Sequence, residues 1–231
     1  MRAQIAARLL FPARCPVCGR VSAGLLCPEC KKREEKYRLS RYRLAVGDYA
    51  FVHLAGAAAL YGYKGPVSHA VRRMKYNGEP WRAAGFGHLM AARIFSCNYK
   101  AGYGILYPQD SVPVAVEFSG VVPVPPGRPG VHIPGLLAKT LANDLRLPVW
   151  NALYKSRPTP RQEELDREGR KQNLWGSFAL RPECNVEGKN ILLVDDVVTT
   201  GTTLSACSYA LLQAGAESVF GVCAAAVTQD E

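Results

Sequence analysis

No stretch of this chain approaches the roughly 20 consecutive apolar residues that a helix needs to cross a bilayer, so a membrane-spanning helix is not its organising feature. No Gly-Lys-Thr or Gly-Lys-Ser follows a suitable glycine, which excludes a Walker-type phosphate loop. Histidine is scarce: His53, His69, His88 and His132 have no partner at metal-ligand spacing, so each reads as structural, with His132 set apart below. Internal repeats and low-complexity segments are absent, which excludes a solenoid or a compositionally disordered chain. Acid is in short supply, with 19 Asp plus Glu against 29 Lys plus Arg and a net charge of +10. That balance favours phosphate-bearing partners, although a merely soluble surface carries it equally well. The apolar N-terminal run is short, broken by Arg8 and followed by Pro12, so it does not read as a secretory signal, and a cytoplasmic protein is expected.

What is present suits one sizeable core plus a small appendage: 231 residues, 48% of them apolar and 21% charged. Four of the eight cysteines form one pattern, Cys15-Pro-Val-Cys18 and then Cys27-Pro-Glu-Cys30. Two Cys-x-x-Cys knuckles this close have the layout of a four-cysteine zinc ribbon, in which each knuckle aims two thiolates at one tetrahedral ion. Gly19 permits the turn after the first knuckle. Two disulfides or a redox pair are the alternatives, and a reducing compartment disfavours structural disulfides. A zinc here would be structural, since four protein ligands leave no open position. Cys97, Cys184, Cys207 and Cys223 lack metal spacing, and Cys207 and Cys223 read as small core residues.

Residues 1–14 read as a short amphipathic helix with Ile5, Leu9 and Leu10 on one side, packed on the ribbon. Residues 31–43 interleave Lys31, Lys32, Arg33, Lys36, Arg38, Arg41 and Arg43 with Tyr37 and Tyr42. Such a segment can hold single-stranded nucleic acid, and it is equally a solvated linker helix. The composition divides the chain into residues 1–43 and 44–231. In the second part, strands are expected within 49–60, at 119–124, from 148, at 191–194 and at 218–227. Helices are expected over 67–76, 86–95, 135–145 and 204–214. Strands alternating with helices predict an α/β fold with a mostly parallel sheet. Residues 155–176 have no apolar period and read as a flexible hairpin or lid.

The most informative segment is 191–203. Ile191, Leu192, Leu193 and Val194 form an apolar run without alternation, as in a strand buried on both faces. Asp195 and Asp196 follow, where open α/β sheets bind their ligands. Val197 and Val198 lead to Thr199, Thr200, Gly201, Thr202 and Thr203 at the start of a helix. Backbone N–H groups, hydroxyls and the positive helix end can converge there on one anion. Gly201 lets the backbone turn and approach a phosphate closely. Carboxylates only accept hydrogen bonds, which suits Asp195 and Asp196 to sugar hydroxyls or a hydrated Mg²⁺. A solvated turn with threonine caps would account for a lone Asp and Thr; the whole string favours a sugar-phosphate site.

This string resembles the signature of type I phosphoribosyltransferases, which bind phosphoribosyl pyrophosphate (PRPP). The resemblance implies that Asp195 and Asp196 face the ribose hydroxyls, with Mg²⁺ held mainly through PRPP, and that Thr199–Thr203 holds the 5′-phosphate. The order of features over nearly the whole chain resembles the ComF family of competence-associated proteins, which joins a zinc ribbon of four cysteines to a phosphoribosyltransferase-like domain. Met74-Lys75-Tyr76 with Gly78, the Val122-Pro123-Val124-Pro125 strand, and Thr159, Gln162, Arg170, Asn173 and Phe178 carry that resemblance. It makes Lys75, Arg128, Arg170 and Asn173 candidates for pyrophosphate or a closing lid. One departure stands out. Relatives carry Arg-Gly-Phe-Asn-Gln after the strand, whereas this chain has Pro129-Gly130-Val131-His132-Ile133-Pro134, with His132 in place of the asparagine.

Two functions follow as expectations. One is PRPP or ribose-phosphate binding linked to DNA uptake, with phosphoribosyl transfer and release of Mg-pyrophosphate where the protein is active. The other is a non-catalytic adaptor that touches single-stranded DNA or competence proteins and keeps a regulatory PRPP pocket. Thiol redox at the two knuckles is a third, weaker idea.

Overall fold

The computed structural model describes residues 13–39, 42–45, 49–102, 105–108, 118–127, 129–156 and 176–228. Its centre is a four-stranded parallel sheet in the order β1-β8-β7-β4, built from β1 (Gly56–Gly62), β4 (Gly120–Pro123), β7 (Asn190–Val198) and β8 (Ser218–Ala226). Helices α2 (Gly65–Tyr76), α3 (Arg82–Ile94) and α4 (Ile133–Leu145) cover one face, and α5 (Thr202–Gln213) covers the other. Leu192, Val194 and Val222 pack with Val71, Phe86 and Leu137. Their neighbours Ile191, Leu193 and Cys223 pack with Leu204, Cys207 and Leu211. Period-2 alternation therefore fills a core on both faces, which is why the strand runs read as continuously apolar. Cys207 and Cys223 are fully buried small residues of the second core, as the sequence predicts.

Several elements follow from local chemistry. Proline stands in the first turn of both α2 and α4, where its missing N–H costs no hydrogen bond. Gly120 keeps β4 clear of Trp150, whose ring would lie 2.8 Å from a Cβ there. Two small antiparallel pairs stand outside the main sheet: β2 (Tyr99–Gly102) with β3 (Ile105–Pro108), and β5 (Leu153–Lys155) with β6 (Phe178–Leu180). Residues from 148 were expected to form a further strand. Val149 makes one parallel bridge to Val121, and the chain then leaves the sheet to form β5. The β5–β6 pair closes the base of the segment expected as a lid, whose residues 157–175 lie outside the described residues, as do 1–12.

The stretch 31–43 is not one linker helix. A short helix α1 (Pro28–Arg33) runs into a single 3₁₀ turn, Glu34–Lys36, and helical structure ends there. Two pulls end it. Tyr37 and Tyr42 pack half-buried against the first core. Arg38 and Arg43 bridge Tyr61 and Ala58 along the edge of β1, with Tyr42 O accepting from Ala59 N–H at 2.9 Å. The division drawn at 43/44 thus falls within a stretch paired to the sheet.

Candidate functional site

Strand β7 runs through Val198, four residues beyond the apolar run, but its two sides end at different places. On the β8 side pairing continues to Val198↔Ala226. On the β4 side it stops at Val194, whose carbonyl accepts from Val124 N–H at 2.9 Å. Asp195 and Asp196 therefore sit where the sheet opens. Each carboxylate accepts the next backbone N–H: Asp195 Oδ1 from Asp196 at 2.8 Å, and Asp196 Oδ1 from Val197 at 2.7 Å. The pleat also breaks here. Val194 and Val197, three residues apart, pack on the same core, while Val198 packs on the other.

The two acids differ electrostatically. Asp196 turns to α2, where the Lys75 ammonium lies 2.7 Å from its Oδ1. Burial works against the charge on Lys75, but Asp196 and Asp195 outweigh it and hold the lysine above its ordinary pKa. Burial pushes the Asp195 carboxyl up to about 7, and the adjacent charge of Asp196 adds to the effect. The buried thiols of Cys207 and Cys223 are pushed well up by burial first and then by Asp195. Lys75 thus joins the acid pair from a helix early in the chain, and the first acid of the pair is held well above the ordinary carboxylate range.

Beyond Val198 the loop is tied down from behind. Gly201 has φ +80°, and a Cβ on it would stand 2.6 Å from Phe51 Cε1. Thr200 O accepts from Ala50 N–H at 2.8 Å. Ser205 Oγ donates to Ala50 O at 2.5 Å and accepts from Val52 N–H at 2.9 Å. Residues 49–52 are therefore the wall of the loop, a role with no local signature. Thr199 and Thr200 are exposed, Thr202 and Thr203 are half-buried, and the hydroxyls of Thr200 and Thr202 hydrogen-bond to each other. Ser205 N–H donates to Gly201 O at 3.0 Å, so the helix starts directly from the turn. The first-turn N–H groups of α5 lack intrahelical acceptors, as at any helix N-terminus.

His132, standing where the family asparagine is expected, closes the loop after β4. Its Nε2 lies 2.7 Å from Val124 O, which makes that nitrogen the donor, and its ring fills the space over Gly135. Arg128, Arg170 and Asn173 lie outside the described residues, as do Thr159 and Gln162.

The four knuckle cysteines converge. The Sγ atoms of Cys15, Cys18, Cys27 and Cys30 all lie within 4.8 Å of one another, and Cys18 Sγ is 3.6 Å from Cys27 Sγ of the other knuckle. Tetrahedral zinc at about 2.3 Å from each sulfur sets S···S distances near 3.8 Å, so a slight contraction closes the cluster on an ion. The knuckle turn is formed by Gly19 N–H donating to Cys15 O at 2.8 Å, with Gly19 at φ +84°. A cavity of about 450 Å³ opens between this ribbon and α2, lined by Arg33, Tyr37, Tyr61, His69 and Arg73 among others. It shares no lining residue with the acids or the threonine loop. No helix among the described residues is long and apolar enough to cross a membrane.

Residues 121–231, which hold most of β4, the acid pair and the threonine loop, match the phosphoribosyl transferase domain family, and the four-cysteine cluster lies ahead of that match. The relatives it matches carry names of three kinds: DNA utilization, competence and ribose-phosphate pyrophosphokinase. The DNA utilization protein YhgH of Escherichia coli K12 is 27% identical over 209 residues, which cover 89% of this chain and 86% of that protein. Competence protein F of Haemophilus influenzae is 28% identical over 159 residues, or 68% of this chain and 66% of that protein. A ribose-phosphate pyrophosphokinase from Halalkalibacterium halodurans is 30% identical over 118 residues, covering 48% of this chain and 31% of that enzyme.

Proposed function

We propose that this protein binds PRPP with Mg²⁺ at the end of β7 and acts in the handling of DNA taken up by the cell. The observation that carries the reading is the meeting of Lys75, Asp195 and Asp196 beside a glycine-pinned threonine loop at the start of α5. Asp195 and Asp196 orient the ribose through its hydroxyls. Thr199, Thr200, Gly201, Thr202 and Thr203 hold the 5′-phosphate with hydroxyls and the first N–H groups of the helix. Lys75 faces the pyrophosphate, and Arg128, Arg170 and Asn173 are the further candidates for that role. Mg²⁺, when bound with the ligand beside the two acids, offsets the charge of the phosphates. Where transfer occurs, a nucleophile bonds to C1′ as the C1′–oxygen bond to pyrophosphate breaks. The chain then contributes orientation of the sugar and cations for the leaving group. Zn²⁺ is the ion assigned to Cys15, Cys18, Cys27 and Cys30, in a structural role.

The test is calorimetric titration with PRPP, with and without Mg²⁺, of wild type and the Asp195→Asn/Asp196→Asn double variant. Micromolar, Mg-dependent binding that the double variant loses is the expected result. A wild type that binds no PRPP rejects the reading.

A second reading, an adaptor for single-stranded DNA or a competence protein, draws on the exposed Lys31, Lys32, Arg33, Lys36 and Arg38 along α1 and the β1 edge. Because Tyr37 and Tyr42 pack half-buried against the core, this surface acts mainly through charge. Its DNA affinity should therefore fall steeply with salt.

A further inference from the structure

The ribbon and the acid pair are joined through one carboxylate. Arg82, at the start of α3, is only 1% exposed. Its guanidinium donates out of the sheet domain to the backbone of the first knuckle, to Pro16 O at 2.5 Å and Val17 O at 3.1 Å. Those two carbonyls lie between Cys15 and Cys18, so Arg82 reads the geometry of the knuckle itself. The fit is close on both sides: a Cβ on Gly19 would meet Arg82 at 3.2 Å, and one on Gly85 would meet Pro16 at 2.7 Å. The guanidinium also stacks over Trp81, 4.7 Å from its ring centre.

The same arginine grips Glu79, with Nε and one terminal nitrogen each 2.5 Å from Oε2. The other carboxylate oxygen, Oε1, holds Arg73 at 2.6 Å. Arg73 and Lys75 both belong to the last turn of α2. Glu79 N–H and Asn77 N–H both donate to Arg73 O, at 3.3 and 3.1 Å, so backbone bonds fasten the same turn. Burial of Glu79 is the largest single influence and opposes its charge, but Arg82 and Arg73 together outweigh it and hold the carboxyl below its usual range. From the knuckle to Asp196 the chain of contacts is continuous: Pro16 and Val17, Arg82, Glu79, Arg73, the last turn of α2, Lys75. Contiguity does not by itself make coupling. Here, however, one side chain touches both ends: Glu79 holds Arg82 through Oε2 and, through Oε1, Arg73 in the turn that carries Lys75.

We infer that Glu79 is a positioning residue that transmits the state of the four-cysteine ribbon to the Lys75–Asp196 pair, so that a metal-filled ribbon holds Lys75 on the acid. The consequence for ligand affinity rests on the PRPP reading of that pair. Coupling between sites is reciprocal and commonly amounts to about tenfold in affinity. Metal in the ribbon should therefore tighten Mg-PRPP binding by a factor of that order, and Mg-PRPP should slow loss of the metal.

The test uses the full chain, zinc-loaded or chelator-treated, as wild type and as Glu79→Gln. Acylation of Lys75 by an N-hydroxysuccinimide ester is followed by peptide mass spectrometry, with the exposed Lys139 and Lys189 as internal references. The expected result is slow labelling of Lys75 in zinc-loaded wild type and several-fold faster labelling after zinc removal. Glu79→Gln should label fast and without regard to zinc, and the references should not change. A wild-type Lys75 rate that ignores zinc, or a Glu79→Gln protein that behaves as wild type, overturns the inference. If chelation also speeds the references, the sheet has loosened. The decision then passes to the zinc-loaded Glu79→Gln and Arg82→Lys proteins, each of which must expose Lys75 alone. PRPP titration of the same samples separates the two ideas. Zinc-sensitive Lys75 labelling without PRPP binding rejects the sugar-phosphate reading and leaves the coupling in place. PRPP binding indifferent to zinc rejects the coupling and leaves the site.

Discussion

Gly201 should be the least replaceable residue of the threonine loop, and Gly188 supplies the comparison that shows why. Both hold left-handed backbone, at φ +80° and +62°. Alanine in that region costs roughly 1–2 kcal/mol at either position. At Gly188 nothing lies within 4 Å of the added carbon. At Gly201 it would stand 2.6 Å from Phe51 Cε1, 2.8 Å from Phe51 Cδ1 and 3.2 Å from Tyr49 Cβ. Phe51 has little room to yield: it is 7% exposed and stacked on Tyr49 with ring centres 5.0 Å apart. Tyr49 is itself held by its hydroxyl, which donates to Val227 O at 2.8 Å. Overpacking against such a wall adds about 1–3 kcal/mol. Gly188→Ala should therefore cost about 1–2 kcal/mol and Gly201→Ala about 2–5 kcal/mol. The entropy alanine removes from the unfolded chain, about 0.4–1 kcal/mol, is common to both and cancels in the difference. In urea, with a slope of about 2 kcal/mol/M, the two midpoints should differ by roughly 0.5–1.5 M. Equal midpoints would refute the reasoning, since they would mean that the Phe51–Tyr49 wall moves aside without cost.

Asp195→Asn should stabilise the protein at about pH 8 and change it little at about pH 4. The folded carboxyl titrates at about 7, above its unfolded value, so the folded state holds more protons between the two pKa values. Wild-type stability therefore falls as pH rises through that window, the penalty is complete above the folded pKa, and asparagine escapes it while keeping the Oδ1 acceptor. Melting curves across pH check this, and a variant less stable than wild type at the high end contradicts it. Ser205→Ala should cost about 1–3 kcal/mol in urea, because Ala50 O and Val52 N–H lose their shared hydroxyl behind the loop. Cys15→Ser should lower bound zinc, measured by elemental analysis, while the circular dichroism of the sheet domain persists. Full zinc content in that variant would reject the four-thiolate site.

The elements around the site were legible wherever a local rule governs them. The 3.6 period of α4, the unbroken apolar run of β7, and a glycine turn entering a helix each follow from neighbours a few residues apart. The ends of those elements were less legible. The sequence places the close of β7 at Val194, where the apolar run stops. The strand continues to Val198 because β8 supplies a partner for those residues, and that partner lies beyond α5. Basic residues 31–43 suggest a solvated helix. What decides their course is the appetite of Tyr37 and Tyr42 for a core assembled from residues 15 to 225.

The residues that complete the site were invisible for the same reason. Tyr49, Phe51 and Ser205 become a wall only when residues about 150 apart in sequence are brought together. Lys75 was found through family resemblance, yet its partner could not be. A lysine at a helix end reads as a solvated charge, and only α2 packed over the end of β7 turns it onto Asp196. Arg82 is the sharpest case, because a buried arginine has no sequence signature distinct from an exposed one. Its burial is tolerated because every direction it points offers an acceptor: two knuckle carbonyls and one carboxylate. Removing the carboxylate would leave the buried guanidinium with two carbonyl acceptors and no counter-charge. For that reason the join between ribbon and sheet should resist drift more strongly than its apolar contact alone would require.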